Sequence, residues 1–297
     1  MSSLKELKNR ICSLKETQKI TEAMRMVAIS SLRRAQTAMK DASLYQSRIQ
    51  EFLRIIEIDI DSDGSLPALV RGTGKDKTYL LIICAAEKGL CGGFNSQIIR
   101  FSRDRIEEFI AEGKKVKILV VGKKGYEILS QKLSSMIIDY VKLSSKQGVD
   151  FIQAHNISRK VMSLFQNDVF DSCFCIYSEF KSVIQQVPVM RKLIPVDLVQ
   201  DFKEGKDKKS DISSVYDYES TLHSVLKKLL FQNISAQLFQ VLLENGASEV
   251  GARITAMDNA TRSAGRMVED LVVSYNRQRQ VRITTELIEI ISGAEAV

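Results

Sequence analysis

The chain has 297 residues, of which 44% are hydrophobic and 27% are charged, and its formal net charge is +7. This length leaves room for two domains of ordinary size, and this composition excludes a disordered chain. No stretch approaches 18 consecutive apolar residues, so we expect no transmembrane helix. The start, MSSLKELKNR, lacks the apolar core of a secretory leader, and five cysteines without metal or disulfide spacing favour a reducing cytoplasm.

Residues 1–60 are predicted to form one long helix, because the first 63 residues contain neither glycine nor proline. Core-type residues at heptad spacing indicate that this helix pairs with another one. They are Leu4, Leu7, Ile11 and Leu14, followed by Met24, Ala28, Ala35, Ala38, Ala42, Tyr45, Ile49, Phe52 and Ile56. Between the two groups the pattern slips by three residues near Thr17 and Thr21, which predicts local overwinding of a coiled coil.

Residues 75–200 are predicted to form a small α/β domain with a largely parallel, Rossmann-like sheet, because apolar strand-type runs alternate with helical patterns. The predicted strands are Tyr79–Ala85, Val116–Val121 and Ser135–Tyr140, and the predicted helices are Gln97–Ile110 and Phe151–Phe165. A hairpin follows, with strands at Cys173–Phe180 and Val183–Val189. Pro188 and Pro195 mark the end of this domain, and the charged run DFKEGKDKKSD is predicted to be a linker.

The turn EKGLCGGFNS follows a strand and precedes a helix, which is where phosphate-binding loops occur. It matches neither G-x-G-x-x-G nor the P-loop pattern. We therefore favour a structural role over phosphate binding. In that role Gly92 and Gly93 allow a tight turn, and Asn95 or Ser96 caps the helix.

The remaining chemical candidates also favour packing over catalysis. Cys91 could be a nucleophile, but the only histidines, His155 and His223, do not lie in a recognisable triad pattern. Cys173 and Cys175 alternate along a strand and should point to one face, without the C-x-x-C spacing of redox sites. We expect no catalytic site, no cofactor and no metal.

Residues 210–292 are predicted to form a second long helix, since no proline interrupts Ile212–Ile291. Such a helix would extend roughly 120 Å. Core-type residues recur at alternating steps of three and four, which is typical of a helix that pairs along one seam. They are Leu243, Ala247, Val250, Ile254, Met257, Thr261, Ala264, Val268, Leu271 and Tyr275. We predict that the two terminal helices form one antiparallel two-helix coiled coil, so the fold is a discontinuous rod with a compact α/β head.

Positive charge is concentrated on these helices. Residues 1–40 carry nine basic and three acidic side chains, and residues 253–282 carry six arginines against three acids. Within the second helix, the ten residues Ser274–Ile283 contain no acid. Basic side chains of this kind suit an acidic partner, which could be nucleic acid, anionic lipid or protein, although a solvated basic face is an alternative.

Three segments resemble the gamma subunits of F-type ATP synthases. They are RICSLKETQKITEAMRMVA near the N-terminus, KGLCGGFNS in the middle, and the stretch from ENGASEVGARITAMDN to the C-terminus. The likeness runs from about Lys5 to Val297. It implies a central rotor shaft whose coiled coil fills a ring of three alpha and three beta subunits, and whose head meets the epsilon subunit and the membrane c-ring.

The resemblance also implies how the complex works and where it resides. The shaft couples ion flow through the c-ring to successive conformations of the beta subunits, and it is a non-catalytic subunit of a rotary ATPase. It would be a peripheral protein on the cytoplasmic side of a bacterial inner membrane, reaching the membrane only through the complex. The coupling ion, H⁺ or Na⁺, is selected elsewhere in such a complex and is left open by this sequence.

Residue roles follow from the same resemblance. Met24 and Arg253 resemble residues near an acidic lever loop of the beta subunit. Four residues resemble those that meet a catch loop on the inner surface of the ring: Arg279, Gln280, Thr284 and Glu286. The chain departs from the family pattern at Glu22, Ser31 and Ile254, where a base, a lysine and a methionine are usual. It also lacks the cysteine-bearing insertion of chloroplast relatives, so thiol switching is not expected.

Two other functions fit parts of the sequence. A basic coiled coil that binds nucleic acid would account for the charge, but the arginines lack interleaved aromatic residues. A nucleotide-binding enzyme would account for the α/β domain, but its motifs are missing. We therefore predict the rotor shaft, with no nucleic-acid partner.

Overall fold

A computed structural model describes residues 4–60, 68–143, 148–196 and 222–295. The predicted linker DFKEGKDKKSD and residues 210–221 of the predicted second helix lie outside these ranges. The elements follow in chain order: α1 Leu4–Ile60, α2 Ala68–Arg71, β1 Thr78–Cys84, α3 Phe94–Ala111, β2 Lys115–Val121, α4 Lys123–Leu133, a 3₁₀ turn Ser134–Met136, β3 Ile137–Val141, α5 Phe151–Gln166, β4 Ser172–Phe180, β5 Gln186–Ile194 and α6 Leu222–Glu295. No helix in the described ranges is long and apolar enough to cross a membrane.

The chain divides into two compact units, and each long helix contributes to both of them. Met1–Ser30 and Arg253–Val297 form the first, here called the helix-pair unit. Ser31–Ala252 form the second, here called the sheet unit. The predicted pair of long terminal helices with an α/β portion between them is confirmed.

The sheet unit contains a five-stranded sheet in the order β3-β2-β1-β4-β5. β1 pairs in parallel with β2 and β4, β2 pairs in parallel with β3, and only β5 runs antiparallel, beside β4. The prediction of a largely parallel sheet is therefore correct. Its central strand β1 is buried on both faces, as expected for a sheet covered by crossover helices.

Alternate residues of β1 belong to two separate cores. Leu80, Ile82 and Cys84 pack on the face covered by α5 and by the portions of α1 and α6 in this unit. Tyr79, Leu81 and Ile83 pack on the opposite face against α3 and α4. The period of two along a strand thus separates one apolar run into two layers of contacts.

Several predicted boundaries are wrong, including the end of the second hairpin strand, which is Ile194 rather than Val189, and the start of α3, which is Phe94 rather than Gln97. The second hairpin strand begins at Gln186 rather than Val183, because residues 181–185 form a hydrogen-bonded turn in which the Gln185 amide donates to the Ser182 carbonyl. Pro188 therefore lies inside β5 rather than at the end of the domain, which is possible because β5 is an edge strand. The third strand begins at Ile137 rather than Ser135, and α4 was not predicted.

The predicted slip in α1 is also wrong. The less exposed side of the helix follows unbroken alternating steps of three and four residues. Gln18, Thr21 and Arg25 fill the positions between Leu14 and Ala28, so polar side chains continue the stripe that apolar residues begin. A pattern built on apolar residues alone skipped them and instead placed Met24, Tyr45 and Phe52 in the stripe, where all three are exposed. The predicted seam of α6 is confirmed from Leu243 to Tyr275, where every member is buried or half-buried.

Candidate partner-contact surface

The glycine-rich turn after β1 has a structural role. Leu90 and Gly92 adopt left-handed backbone angles, with φ of 64° and 57°. Helix α3 begins at Phe94 with Gly93 at its N-cap and no side-chain cap, so the prediction that Asn95 or Ser96 caps the helix is wrong. The Asn95 Oδ1 atom instead accepts a hydrogen bond from the Ala86 amide at 3.0 Å, which ties the first turn of the helix to the end of β1.

The crevice between β1 and β4 is the point where the strand order reverses, and ligands of α/β sheets commonly bind there. Two residues of α6 bond to β4 just past the residues that pair with β1. The Asn245 Oδ1 atom accepts a hydrogen bond from the Ser178 amide at 3.1 Å, and the Ser248 hydroxyl donates to the Ser178 carbonyl at 2.8 Å. The backbone of β4 beyond its pairing with β1 is thus bonded by the chain's own helix.

Cys173, Cys175 and His155 lie in packed surroundings. Cys173 and Cys175 are fully buried in one core, as predicted, and burial raises the pKa of both thiols. His155 packs against the rings of Phe151 and Phe231, while the side chain of His223 lies outside the described residues. Within the described ranges no group of three His, Cys, Asp or Glu side chains could hold a metal ion.

Met24 lies in the helix-pair unit with 40% of its surface exposed. Its neighbour Arg25 donates two hydrogen bonds to Glu22, at 2.6 and 3.0 Å. These bonds from Arg25 lower the pKa of the Glu22 carboxyl, and those to Glu22 raise the pKa of Arg25. The acid at position 22, where the resemblance led us to expect a base, therefore pairs with a base three residues later.

The exposed apolar side chains around Met24 were missed by the sequence reasoning. They are Ile20, Met26, Val27 and Ile29. Exposed apolar groups clustered on one stretch of helix are typical of a surface that a partner covers. A helical projection of α1 with Gln18, Thr21 and Arg25 placed in the seam would have found them.

Arg253 lies on α6 and is half-buried. Two contacts between the helices show where Arg253 lies along α1. The Thr21 and Thr261 hydroxyl oxygens are 2.7 Å apart, and a Cβ atom at Gly265 would lie 3.3 Å from Nε2 of the Gln18 side chain. The two helices are therefore antiparallel: moving along the pair, residue numbers rise on α1 while they fall on α6. Continuing this register puts Arg253 level with about residue 30, roughly 9 Å along the axis from Met24.

The four predicted residues near the end of α6 do not share one face. Gln280 and Thr284 are one turn apart, and Arg279 and Glu286 are two turns apart, so each pair lies on one side of the helix. At about 100° per residue the two pairs are roughly 130° from each other around the axis. All four side chains are exposed, and Arg279 lies 26 residues, or about 39 Å, beyond Arg253.

Apolar side chains surround one of these pairs. Val281, Ile283, Leu287 and Ile288 are exposed and lie on the same half of the helix as Gln280 and Thr284. The seam side of this segment instead becomes polar, with Gln278 half-buried and Arg282, Thr285 and Glu289 exposed. We name the six exposed residues on the apolar half the α6 end face: Gln280, Val281, Ile283, Thr284, Leu287 and Ile288.

Bonds within the helix occur on both sides of this segment. Arg282 pairs with Glu286 at 2.8 Å, so the guanidinium of Arg282 has a partner within the helix although Ser274–Ile283 contain no acid. Among the described residues Arg277 and Arg279 have no ion pair. The Thr284 hydroxyl donates to the Gln280 carbonyl at 2.9 Å, and the Thr285 hydroxyl donates to the Val281 carbonyl at 3.0 Å.

The other two departures from the family pattern have ordinary surroundings. The Ser31 hydroxyl accepts a hydrogen bond from Arg34 at 3.4 Å. Ile254 is half-buried in the seam of α6, where a branched apolar side chain packs as well as a methionine would.

Known proteins resemble this chain over its full length. The profile of the family described as ATP synthase matches residues 3–297. Proteins named ATP synthase gamma chain are 52% identical over 297 residues in Sinorhizobium medicae and 50% identical over 300 residues in Brucella anthropi, with both chains covered completely in each case.

Solved structures share the fold. A chain of the Euglena gracilis mitochondrial ATP synthase in rotational state 3 has a TM-score of 0.66 at 17% identity, covering 99% of this chain and 94% of that one. A chain from the central stalk and c-ring of the Tetrahymena thermophila enzyme has a TM-score of 0.59 at 24% identity, covering 82% of this chain and 99% of that one.

Proposed function

We propose that this chain, which belongs to the ATP synthase gamma chain family, is the central rotor shaft of an ATP synthase. It is a subunit of a rotary ATPase, and it associates with the catalytic sector and the c-ring of that complex. In finer detail, residues 1–60 and 210–292 form the shaft, residues 75–200 form the head, three alpha and three beta subunits surround the shaft, and the head meets the epsilon subunit.

The α6 end face carries this proposal. Every described side chain from Val281 to Ser292 is exposed, although many of them are apolar. Apolar groups on an isolated helix end are costly to leave in water, and they are buried when a partner surrounds that end. A ring of subunits can supply such surroundings on all sides of one helix.

The mechanism follows from a difference in symmetry. Two helices cannot present the same surface to each of three beta subunits, so each beta subunit meets different side chains. Those contacts bias the conformations of each catalytic site, and rotation passes the bias from one site to the next. Met24 and Arg253 would contact one level of the beta subunits, and the end of α6 would contact another about 39 Å away.

Chemistry in this proposal belongs to the beta subunits rather than to this chain. The hydrogen bonds of Asn245 and Ser248 of α6 to the Ser178 backbone support that assignment, since they give this end of β4 a structural role in holding the helix. The chain would act at the cytoplasmic side of a bacterial inner membrane and reach the membrane only through the complex. No observation favours nucleic acid as a partner over this complex.

Reconstitution with alpha and beta subunits tests the proposal. The three proteins should co-purify, and ATP hydrolysis should rotate this chain within the ring. Failure to co-purify, or hydrolysis without rotation, would contradict the shaft assignment.

The contact surface has its own matched test. Replacing Gln280 and Thr284 with alanine should lower ATPase turnover roughly tenfold or prevent assembly, because residues at the centre of an interface contribute most of its energy. The control replaces Gln278 and Thr285, which are the same residue types on the seam side of the same two turns. If the control lowers turnover as much, the α6 end face is not the contact.

A further inference from the structure

The helix-pair unit contains a polar stretch in the middle of its seam. On α1 three consecutive inward positions are polar, and polar or small residues lie near them on α6, beside the apolar seam residues Met257 and Ala264. We call this set the polar layer. Its members are Gln18, Thr21 and Arg25 on α1 with Gly265, Thr261 and Asp258 on α6. Apolar seam residues lie on both sides of it, including Leu14 and Ala28 on α1.

Four charges alternate across this layer. Glu22 binds Arg25 on α1 at 2.6 Å, and Asp258 binds Arg262 on α6 at 2.8 Å. The register set by the Thr21 and Thr261 hydroxyls places Arg25 about level with Asp258, so the two pairs lie at the same position along the helix pair. The hydrogen bonds from Arg25 to Glu22 and the charge of Glu22 raise the pKa of Arg25, and the charge of Asp258 raises it further. The order of charge from α1 to α6 is therefore minus, plus, minus, plus.

These charges contribute little to stability. Exposed fractions of the four side chains range from 27% for Arg25 to 62% for Arg262, and water screens ion pairs that are exposed to this degree. Larger apolar residues at the same positions would hold two helices together more strongly. The polar layer is therefore better explained as a feature that favours one register of the two helices over others than as a feature that strengthens their association.

Alternative pairings would lose the polar contacts. If the helices slipped by one heptad, Thr21 would face the neighbourhood of Ile254 or Val268, and its hydroxyl would have no partner across the seam. Arg25 would at the same time move away from Asp258 by about 10 Å. Apolar seam residues tolerate such a slip, because one aliphatic contact resembles the next. Single polar positions are known to specify register for this reason.

We propose that the polar layer fixes the register of α1 against α6. It thereby sets the distance along the helix axis between Met24 and Arg253. Glu22, Arg25, Asp258 and Arg262 are positioning residues in this proposal. The consequence for coupling rests on the proposed shaft function, whereas the register is a property of the chain itself.

Charge reversal tests the proposal. The variant Glu22→Arg with Arg25→Glu keeps an opposite pair on α1 but places a carboxylate beside Asp258. Adding Asp258→Arg with Arg262→Glu restores attraction between the helices. Reversal of Arg48 and Glu51 is the matched control, because it is an exposed pair on α1 with the same three-residue spacing.

Register is read by a cross-link in the full-length chain. Cysteines replace Thr21 and Thr261, whose hydroxyls are 2.7 Å apart, in a background where exposed Cys12 is serine. The double reversal should lower the disulfide yield about fivefold. It should raise the yield between cysteines placed at Thr21 and Val268, which meet after a slip. The fourfold variant should restore the first yield, and the control should leave it unchanged.

Coupling is read in the assembled complex as protons or sodium ions pumped per ATP hydrolysed. The double reversal should lower this ratio, and the fourfold variant should restore it. An unchanged cross-link yield in the double reversal overturns the proposal, as does equal loss in the double and fourfold variants. A lowered yield with an unchanged pumping ratio overturns the positioning role. Wild-type chain that fails to assemble counts against the shaft function alone, because the cross-link result on the free chain stands without it.

Discussion

The sheet unit and the helix-pair unit differ in how far they bury the same types of apolar side chain. Leu119 in β2 is fully buried, whereas Leu287 near the end of α6 is 53% exposed. Sheets covered by helices on both faces bury whole strands, but two paired helices bury only one stripe each. The sheet unit therefore buries whole strands in its cores, whereas the helix-pair unit leaves large apolar side chains near the end of α6 exposed.

Replacing one leucine in each unit should give the largest contrast. Leu119→Ala should lower the free energy of unfolding by about 2–5 kcal/mol, because it leaves a cavity among fully packed neighbours. Leu287→Ala should change it by less than about 0.5 kcal/mol, since water already reaches the side chain. Urea unfolding of the isolated chain, followed by circular dichroism because the chain has no tryptophan, measures both values.

For assembly with the alpha and beta subunits, we expect the Leu287 variant to have the larger effect. Leu287→Ala should weaken co-purification with alpha and beta subunits, while a Leu119→Ala chain that has folded should assemble normally. If Leu287→Ala destabilised the free chain as much as Leu119→Ala, the end of α6 would be packed against its own chain, and the contrast between the units would be wrong.

Buried and half-exposed hydrogen bonds give a smaller contrast. Asn245→Ala leaves the Ser178 amide without its partner in a buried position and should cost about 1–3 kcal/mol. Thr21→Val removes a hydroxyl of the polar layer where water can substitute, and it should cost less than about 1 kcal/mol. Hydrogen exchange of the Ser178 amide should become faster in Asn245→Ala and stay unchanged in Thr21→Val.

Acid sensitivity should give the smallest effect. The ion pair with Lys160 lowers the pKa of Asp139 in β3 below its ordinary value of 3.8, with a further contribution from the Tyr140 amide. A lowered pKa in the folded state means that the stabilisation is complete above the ordinary pKa and is lost as pH falls below it. The half-exposed pair should contribute less than about 1 kcal/mol.

The variant Asp139→Asn tests this pH dependence. Its free energy of unfolding should be lower than that of the wild type at neutral pH, and the difference should vanish in the acid range below the ordinary pKa of Asp139. A constant difference at all pH values would show that the carboxylate charge is not what stabilises β3.

Sequence patterns predicted the strands of the sheet unit more closely than the seam of α1. A run such as that in β1 is apolar on both faces, so local composition and burial agree there. In α1 the inward positions Gln18, Thr21 and Arg25 are polar, because partners on α6 satisfy them. Those partners lie more than 230 positions away, and no local pattern contains that information.

The candidate contact residues also combine information from the sequence with information that only the structure gives. The contact roles of Gln280 and Thr284 came from the resemblance, and the placement of both residues among exposed apolar side chains supports them as the centre of the α6 end face. Arg279 and Glu286 came from the same motif but lie on the other side of the helix. The contact roles of these four residues, and of Met24 and Arg253, stay predictions until the assembled complex is tested.

By itself, the sequence determined that two long proline-free helices enclose an α/β portion, and that the helices pair along heptad stripes. Those features depend on backbone propensity and on the spacing of apolar residues, which are local properties. The tertiary structure decided which residues face each other across the pair, because register depends on contacts between distant segments. It also decided that α6 bonds to the backbone of β4, and that apolar side chains near the end of the same helix are exposed.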